Sequence, residues 1–347
     1  MDTIGLDLHK RESQLCILAE DGSVVERRIV TSRERFTAVL GNREQARILL
    51  EASTESEWVA QHLESLGHEV VVADPNYAPM YATRARRVKT DKRDARALAE
   101  ALRLGAFHHA HRVSAHRRHI RAELAVRETL VRTRTRYISL SKALVRRDGL
   151  RVAGSKADRV ARKIAELELS DTLASELMPL FQVLVPINEQ IDLADQRITD
   201  LSKNDPEVAL LTTSPAIGPI TAAAVVATVD DISRFQSAHQ FEAFLGLVPG
   251  ERSSGEKRRI GKITKAGNSR ARYLLVEAAW RIMRSKNEET AALRAWALLI
   301  AARRGKRIAM VALARRIAGI LFAMWRDNSP YNAEKLRMPR PIVAKAS

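Results

Sequence analysis

Thr3-Ile4-Gly5-Leu6-Asp7-Leu8 is a β-rich apolar run with a single charge inside it. A carboxylate in such a strand is costly unless it is paired or binds a metal, so Asp7 asks for a chemical reason. A second run, Ser13-Gln14-Leu15-Cys16-Ile17-Leu18, follows. Ala19-Glu20-Asp21-Gly22 has turn chemistry before Val24–Val30, and together these predict three consecutive antiparallel strands. Helical spacing over 33–40 leads to Ile48-Leu49-Leu50, which closes on Glu51. A helix over about 55–66, a strand over 68–73 and helical stretches around 76–86 and 91–104 complete the segment. The order βββ-α-β-α-β-α is that of an RNase H-like α/β domain, expected over residues 1–105.

In such a sheet the first and fourth strands are neighbours, and the helix after the sheet lies across their ends. Asp7, Glu51, Asp91 and Asp94 can then converge, the last two projecting from one helix face. Four carboxylates balance two Mg²⁺ or Mn²⁺ ions, which prefer hard oxygen ligands. Two such ions about 3.5–4 Å apart can activate a nucleophile and stabilise the leaving oxygen of a phosphodiester. Singly, each acid has an ordinary alternative: Asp91 as a helix cap, Asp94 as a first-turn acid, Glu51 as a strand-end charge. An actin-like ATPase also opens with a strand ending in Asp, but Leu8-His9-Lys10 stands where its Gly-Thr or Gly-Ser phosphate turn would be.

The remaining chain reads as helical. Over 106–205, Leu177, Leu180, Leu184, Ile187, Ile191, Leu193 and Ile198 recur at helical steps. The stretches 120–147 and 170–203 are therefore expected to pair as an antiparallel hairpin or a coiled coil. Ser214-Pro215-Ala216-Ile217-Gly218-Pro219-Ile220 resembles a helix-hairpin-helix turn with Ala216 where glycine is usual, and a plain helix–turn–helix packing unit fits equally. Helices are expected at about 268–285, 288–302 and 306–326, with a loose tail after Asn328.

The 347 residues carry a net charge of +17, 46% hydrophobic and 29% charged side chains, and one cysteine. That describes a globular chain with neither a disulfide framework nor a cysteine-based zinc finger. The charge is segregated: −6 over residues 1–83, +14 over 84–151, −7 over 152–250 and +16 over 251–347. Two basic blocks suit a protein gripping phosphate backbones on two surfaces, although basic runs are also ordinary solvated faces. No apolar run approaches the roughly 20 residues needed to cross a bilayer, and the N-terminus lacks a signal-peptide apolar region. Secreted and membrane classes are not expected.

Residues 249–268 place Arg252, Lys257, Arg258, Arg259, Lys262 and Lys265 beside Ser253, Ser254 and four glycines. Such charge can hold a phosphate and ease ionisation of a serine. A DNA-binding loop whose serines only shape the turn is the plainer reading. No histidine stands nearby as a base, which excludes a hydrolase triad. Lys92 and Arg93, between Asp91 and Asp94, are further candidates for nucleic-acid contact.

Ile4-Gly5-Leu6-Asp7-Leu8-His9-Lys10, Leu50-Glu51-Ala52-Ser53 and Lys89-Thr90-Asp91-Lys92-Arg93-Asp94-Ala95 form one signature. Gly246-Leu247-Val248-Pro249, Ser253-Ser254-Gly255 and Thr264-Lys265-Ala266-Gly267-Asn268 form a second. In this order and separation the chain resembles the DEDD transposases of bacterial insertion sequences (the family numbered one-ten), relatives of the Piv-type DNA invertases and described as bridge-RNA-guided recombinases. The resemblance runs to about residue 325.

It implies a RuvC-like domain (1–105), a helical coiled-coil region (106–205), a mainly α serine-containing transposase domain (206–327) and a flexible tail (328–347). It also implies that Asp7, Glu51, Asp91 and Asp94 hold Mg²⁺ or Mn²⁺, and that Ser254, or else Ser253, attacks DNA through a phosphoserine intermediate. The implied partners are donor and target DNA, a structured guide (bridge) RNA and further copies of the chain as a homodimer or homotetramer. No membrane is implied, and the setting is a bacterial cytoplasm in association with the nucleoid. Two rivals remain on the residues alone: an RNase H-like junction resolvase or nuclease using metal-activated water, and a non-catalytic nucleic-acid scaffold. The histidines at 108, 109, 111, 116 and 119 read as a basic nucleic-acid-facing surface, Trp280, Trp296 and Trp325 as core, and Cys16 as buried and inert.

Overall fold

A computed structural model describes residues 1–77, 80, 90–154, 156–251 and 260–336. The chain divides into two compact units, Met1–Val113 and Ser114–Ser347. In the first, β1 (Thr3–Leu8), β2 (Glu12–Leu18) and β3 (Val24–Val30) precede α1 (Arg33–Leu40), β4 (Arg47–Glu51), α2 (Ser56–Ser65), β5 (Glu69–Ala73) and α3 (Asp91–Leu104). The strands form one mixed sheet in the order β3-β2-β1-β4-β5. β1–β2 and β2–β3 pair antiparallel, whereas β4 runs parallel to β1 and β5 parallel to β4. This is the RNase H-like layout, with the first and fourth strands adjacent.

Residue alternation explains how the sheet is covered. Ile4, Leu6, Leu15, Ile17, Ile48 and Leu50 share one core with residues of α1 and α2. On the opposite face Leu49 and Val71 pack with Leu98, Ala101 and Leu102 of α3, while Cys16 and Leu18 meet Ala95 and Ala99. Burial pushes the Cys16 thiol up to about 11, so it stays protonated and unreactive. Beyond β5, Ala73 bridges His109 and Asp74 N donates to His108 O at 2.8 Å. Tyr77 stacks on His108 with ring centroids 3.7 Å apart, so these two histidines serve the sheet edge. The helix expected around 76–86 falls almost wholly outside the described residues.

The second unit opens with α4 (Ala115–Arg147), α5 (Val160–Ala165) and α6 (Asp171–Leu201). Arg197 pairs with Glu123 at 3.1 Å, Arg134 Nη1 donates to Asn188 Oδ1 at 3.2 Å and Arg147 pairs with Glu176 at 2.7 Å. Partner numbers that fall on one helix as they rise on the other define an antiparallel pair of α4 and α6. Beyond it lie α7 (Pro206–Thr212), α8 (Pro219–Val229), α9 (Ala238–Phe244), β6 (Pro249–Glu251), β7 (Ile260–Ile263), α10 (Ser269–Arg284), α11 (Ala291–Arg304) and α12 (Lys306–Arg326). Residues Thr221–Val229 of α8 are all buried, and Phe241, Phe322 and Trp325 belong to the same core. In the turn between α7 and α8, Ala216 takes φ 66°, the left-handed conformation for which glycine is normally used. Past α12, Tyr331 N donates to Thr213 Oγ1 at 3.0 Å, and its hydroxyl donates to Glu289 O at 2.9 Å.

By length and composition α12 is apolar enough to cross a membrane, although Arg315 and Arg316 interrupt its apolar run. The helix is the central packing element of this unit: Leu313, Ile317, Leu321 and Phe322 are buried, and Arg316 lies 4.7 Å over the Trp296 ring.

Arg117, only 9% exposed, bridges Asp205 and Glu207. Burial pushes the Glu207 carboxyl up despite the guanidinium beside it, so desolvation outweighs the attraction there. Arg117→Met alone is expected to cost about 3–5 kcal/mol, because it strands two carboxylates. Adding Asp205→Asn and Glu207→Gln should restore much of that loss, as urea unfolding midpoints would show.

Candidate metal centre

Parity places the acids. Gly5 and Leu49 point to the α3 face, so Asp7 and Glu51, two residues further along their strands, point the same way. The parallel register pairs Leu6 with Leu50, and one step on it sets Asp7 beside Glu51 at the carboxyl ends of neighbouring strands. On α3, Asp91 and Asp94 extend toward the N-terminus the stripe of Ala95, Leu98, Ala101 and Leu102 that packs on the sheet. Thr90 is the cap, its hydroxyl accepting from Arg93 N, so Asp91 is the first helical residue rather than the cap.

Gly5 makes the approach of α3 possible. A Cβ there would lie 1.9 Å from Ala95 O and 2.4 Å from Ala99 N. Glycine is thus the one residue that lets the helix backbone touch the strand and bring Asp91 over the end of β1.

Ligand atoms of Asp7, His9 and Asp91 lie within 4.8 Å of one another. His9 Nε2 is 3.3 Å from Asp7 Oδ2 and 3.6 Å from Asp91 Oδ1. Among the described residues this cluster does not take in Glu51 or Asp94. Glu51 stands half-buried at the end of β4, and Asp94 is buried on α3. The Asp7 side chain is 13% exposed and Asp91 54%, so the cluster is walled on the sheet side and open on the other. Two carboxylates and an imidazole this close together, two of the three side chains more than half exposed, are a donor set that fits a divalent cation with positions left for substrate oxygens. His9 is the residue that the sequence reading left out. It lies just past the end of β1, two residues after Asp7.

The second motif frames a hairpin. Pro249 pairs with Ile263 and Glu251 with Ile260. The hairpin's base is clamped: Thr264 N donates to Val248 O at 2.9 Å and Lys265 N to Gly246 O at 3.1 Å. Gly246 and Gly267 both take φ 69°, and a Cβ on either would fall about 2 Å from a carbonyl oxygen of the facing segment. The glycines of Gly246-Leu247-Val248-Pro249 and Thr264-Lys265-Ala266-Gly267-Asn268 therefore hold this hairpin shut. Lys262 and Lys265 are exposed on it. Ser253, Ser254, Arg252, Lys257, Arg258 and Arg259 lie outside the described residues. Lys92 is exposed, 3.9 Å from Glu26, and Arg93 sits in the first turn of α3.

Comparison with known proteins bears on these two motifs. A DEDD transposase family model matches residues 4–147, and the model of the transposase IS116/IS110/IS902 family matches residues 208–294. The transposase for insertion sequence element IS1111A of Coxiella burnetii is 29% identical over 94% of this chain and 90% of its own length. The transposase for insertion sequence element IS1328 of Yersinia enterocolitica is 27% identical over 95% of this chain and 98% of its own. With an RNase H-like sheet under the first match and a glycine-clamped basic hairpin within the second, this chain belongs to the IS110 family of DEDD insertion-sequence transposases.

Proposed function

We propose that the chain cleaves and exchanges DNA strands with divalent metal held by Asp7, Glu51, Asp91 and Asp94 and with a serine, Ser254, as nucleophile. The observation that carries the reading is the convergence of Asp7 and Asp91, residues far apart in sequence, with His9 in one cluster of ligand atoms. When bound, Mg²⁺ or Mn²⁺ would stabilise negative charge on the oxygens of the scissile phosphate. The chain's residues do the rest. The strand-end carboxylates of Asp7 and Glu51 are fixed by the sheet, and those of Asp91 and Asp94 by the first turn of α3. Such anchoring limits how far the acids must move to share a metal. His9, its Nε2 3.3 Å from Asp7 Oδ2 and 3.6 Å from Asp91 Oδ1, adds an imidazole donor to the same cluster. The cations Lys92, Arg93, Arg252, Lys257, Arg258, Arg259, Lys262 and Lys265 hold the phosphate backbone.

In this reading the serine oxygen attacks phosphorus, its proton passes to solvent or a carboxylate, and the 3′-side or 5′-side oxygen leaves. The phosphoserine bond keeps the strand attached until a second hydroxyl displaces the serine and joins it elsewhere. We further propose a structured guide RNA as the selector of donor and target sites, assembly as a homodimer or homotetramer, and action on the bacterial nucleoid in the cytoplasm. The two basic blocks, and the lack of a recognisable base-reading module, support the RNA partner. The boundaries 1–105, 106–205, 206–327 and 328–347 are the working division of labour.

Denaturing gels of reactions on labelled insertion-sequence ends test the nucleophile. Wild type should yield a covalent protein–DNA adduct and Ser254→Ala none. Normal cleavage by both Ser254→Ala and Ser253→Ala would instead favour water as nucleophile, as in a junction resolvase.

A further inference from the structure

A groove of about 610 Å³ runs between the middle of α4 and the start of α10. Its α4 wall is a single helix face, with Leu124, Arg127, Val131, Arg132, Thr135 and Arg136 at three- and four-residue steps. Its α10 wall offers Ser269, Arg270 and Tyr273, and the floor is apolar, closed by Ile220 and Leu274. Four guanidinium groups thus face one carboxylate, Glu128, which both Arg132 and Arg270 engage. Arg127 is drawn to Asp195, and Arg136 makes no ion pair among the described residues. Tyr273 is 58% exposed, although Ala271, Leu275 and Ala278 of the same helix are buried.

A solvent-exposed aromatic ring amid arginines, over an apolar floor, is the arrangement that stacks an unpaired base while cations follow its backbone. The volume lies within the ~300–1,000 Å³ span of sites for small ligands, enough for a nucleotide or two. α10 also begins six residues after β7, so this wall continues directly from the basic hairpin.

We propose that this groove holds an unpaired DNA strand, a base stacking on Tyr273 and phosphates lying on Arg132, Arg136 and Arg270. The inference rests on the strand-exchange reading, in which a cleaved strand leaves its duplex and must be retained before rejoining. It goes further in assigning that retention to residues other than the carboxylates and the serines. DNA is the occupant because the family acts by DNA transposition, whose exchanged strand is unpaired in transit.

Binding of a fluorescein-labelled single-stranded DNA of about 15 nucleotides to the full chain, in EDTA and at about 0.3 M salt to weaken other phosphate contacts, tests it by anisotropy. Tyr273→Ala should weaken binding about 5- to 150-fold, the range for loss of one base stack, and Tyr273→Phe should stay within about twofold of wild type. Arg136→Gln should flatten the dependence of log K on log salt by about 0.7, the value for one phosphate on a single strand. A strand carrying 5-iododeoxyuridine should cross-link at Tyr273. Wild-type affinity in both Tyr273→Ala and Arg136→Gln, with cross-links elsewhere, overturns the groove and leaves the transposase reading standing. Tenfold tighter binding of an RNA of the same sequence, equally dependent on Tyr273, overturns DNA as occupant. No binding of any DNA by wild type would fail the strand-exchange reading itself.

Discussion

Asp7→Asn should leave the chain folded and bound to DNA while lowering strand cleavage by about 10³-fold or more. The magnitude follows from several kcal/mol of transition-state charge stabilisation attributed to bound metal, each 1.36 kcal/mol being tenfold in rate. Asparagine has nearly the shape of aspartate, so the end of β1 keeps its packing, but it is a neutral and weaker donor in the cluster with His9 and Asp91. Removing a charge from a side chain only 13% exposed also relieves desolvation, so thermal stability should hold or rise slightly. Calorimetric titration with Mn²⁺ supplies a readout besides cleavage: the heat of binding should shrink with the rate. Cleavage near the wild-type rate by Asp7→Asn would remove Asp7 from the reacting centre.

Gly5→Ala is expected to have the largest effect on stability, at about 3 kcal/mol or more of the first unit. Both atoms that the new methyl would strike, Ala95 O and Ala99 N, belong to the α3 backbone, so no side-chain rotation can relieve the clash. The helix would have to lift off the sheet, loosening the contacts of Leu49 and Val71 with Leu98 and Leu102. It would also carry Asp91 away from Asp7 and His9. Amide exchange should therefore accelerate across β1, β4 and α3 while the core of α8, α10 and α12 keeps its protection. Unchanged exchange in β1 and α3 would show that the helix yields more easily than close backbone packing allows.

These two residues also show how far the chain could be read without coordinates. The strands up to β5 and helices α1 to α3 were legible because residues alternate or repeat at helical steps, and the amphipathic pattern of 120–147 and 170–203 anticipated the α4–α6 pair. Asp7 was conspicuous because a charge is out of place in an apolar strand. Glu51 joined it only through the inference that β1 and β4 are neighbours, which the parallel register bears out. His9 passed unnoticed: an exposed histidine after a strand has no local oddity, and its relation to Asp91 spans 82 positions of chain. The serines at 253 and 254 were legible by family motif alone, since a Ser-Ser pair in a glycine-rich basic turn has plainer explanations. Ala216 was read as a departure from a turn motif, yet the backbone there takes the left-handed conformation without glycine.

Local pattern determined the order of elements, the segregation of charge and the two motifs that place the chain in its family, because period, turn chemistry and side-chain type are properties of neighbours along the chain. The meeting of α3 with Gly5, the closeness of His9 to two carboxylates and the groove beside Tyr273 were decided only by tertiary structure. Each of these is a contact between distant segments, fixed by register and close packing, and no window of sequence contains the energy that sets it.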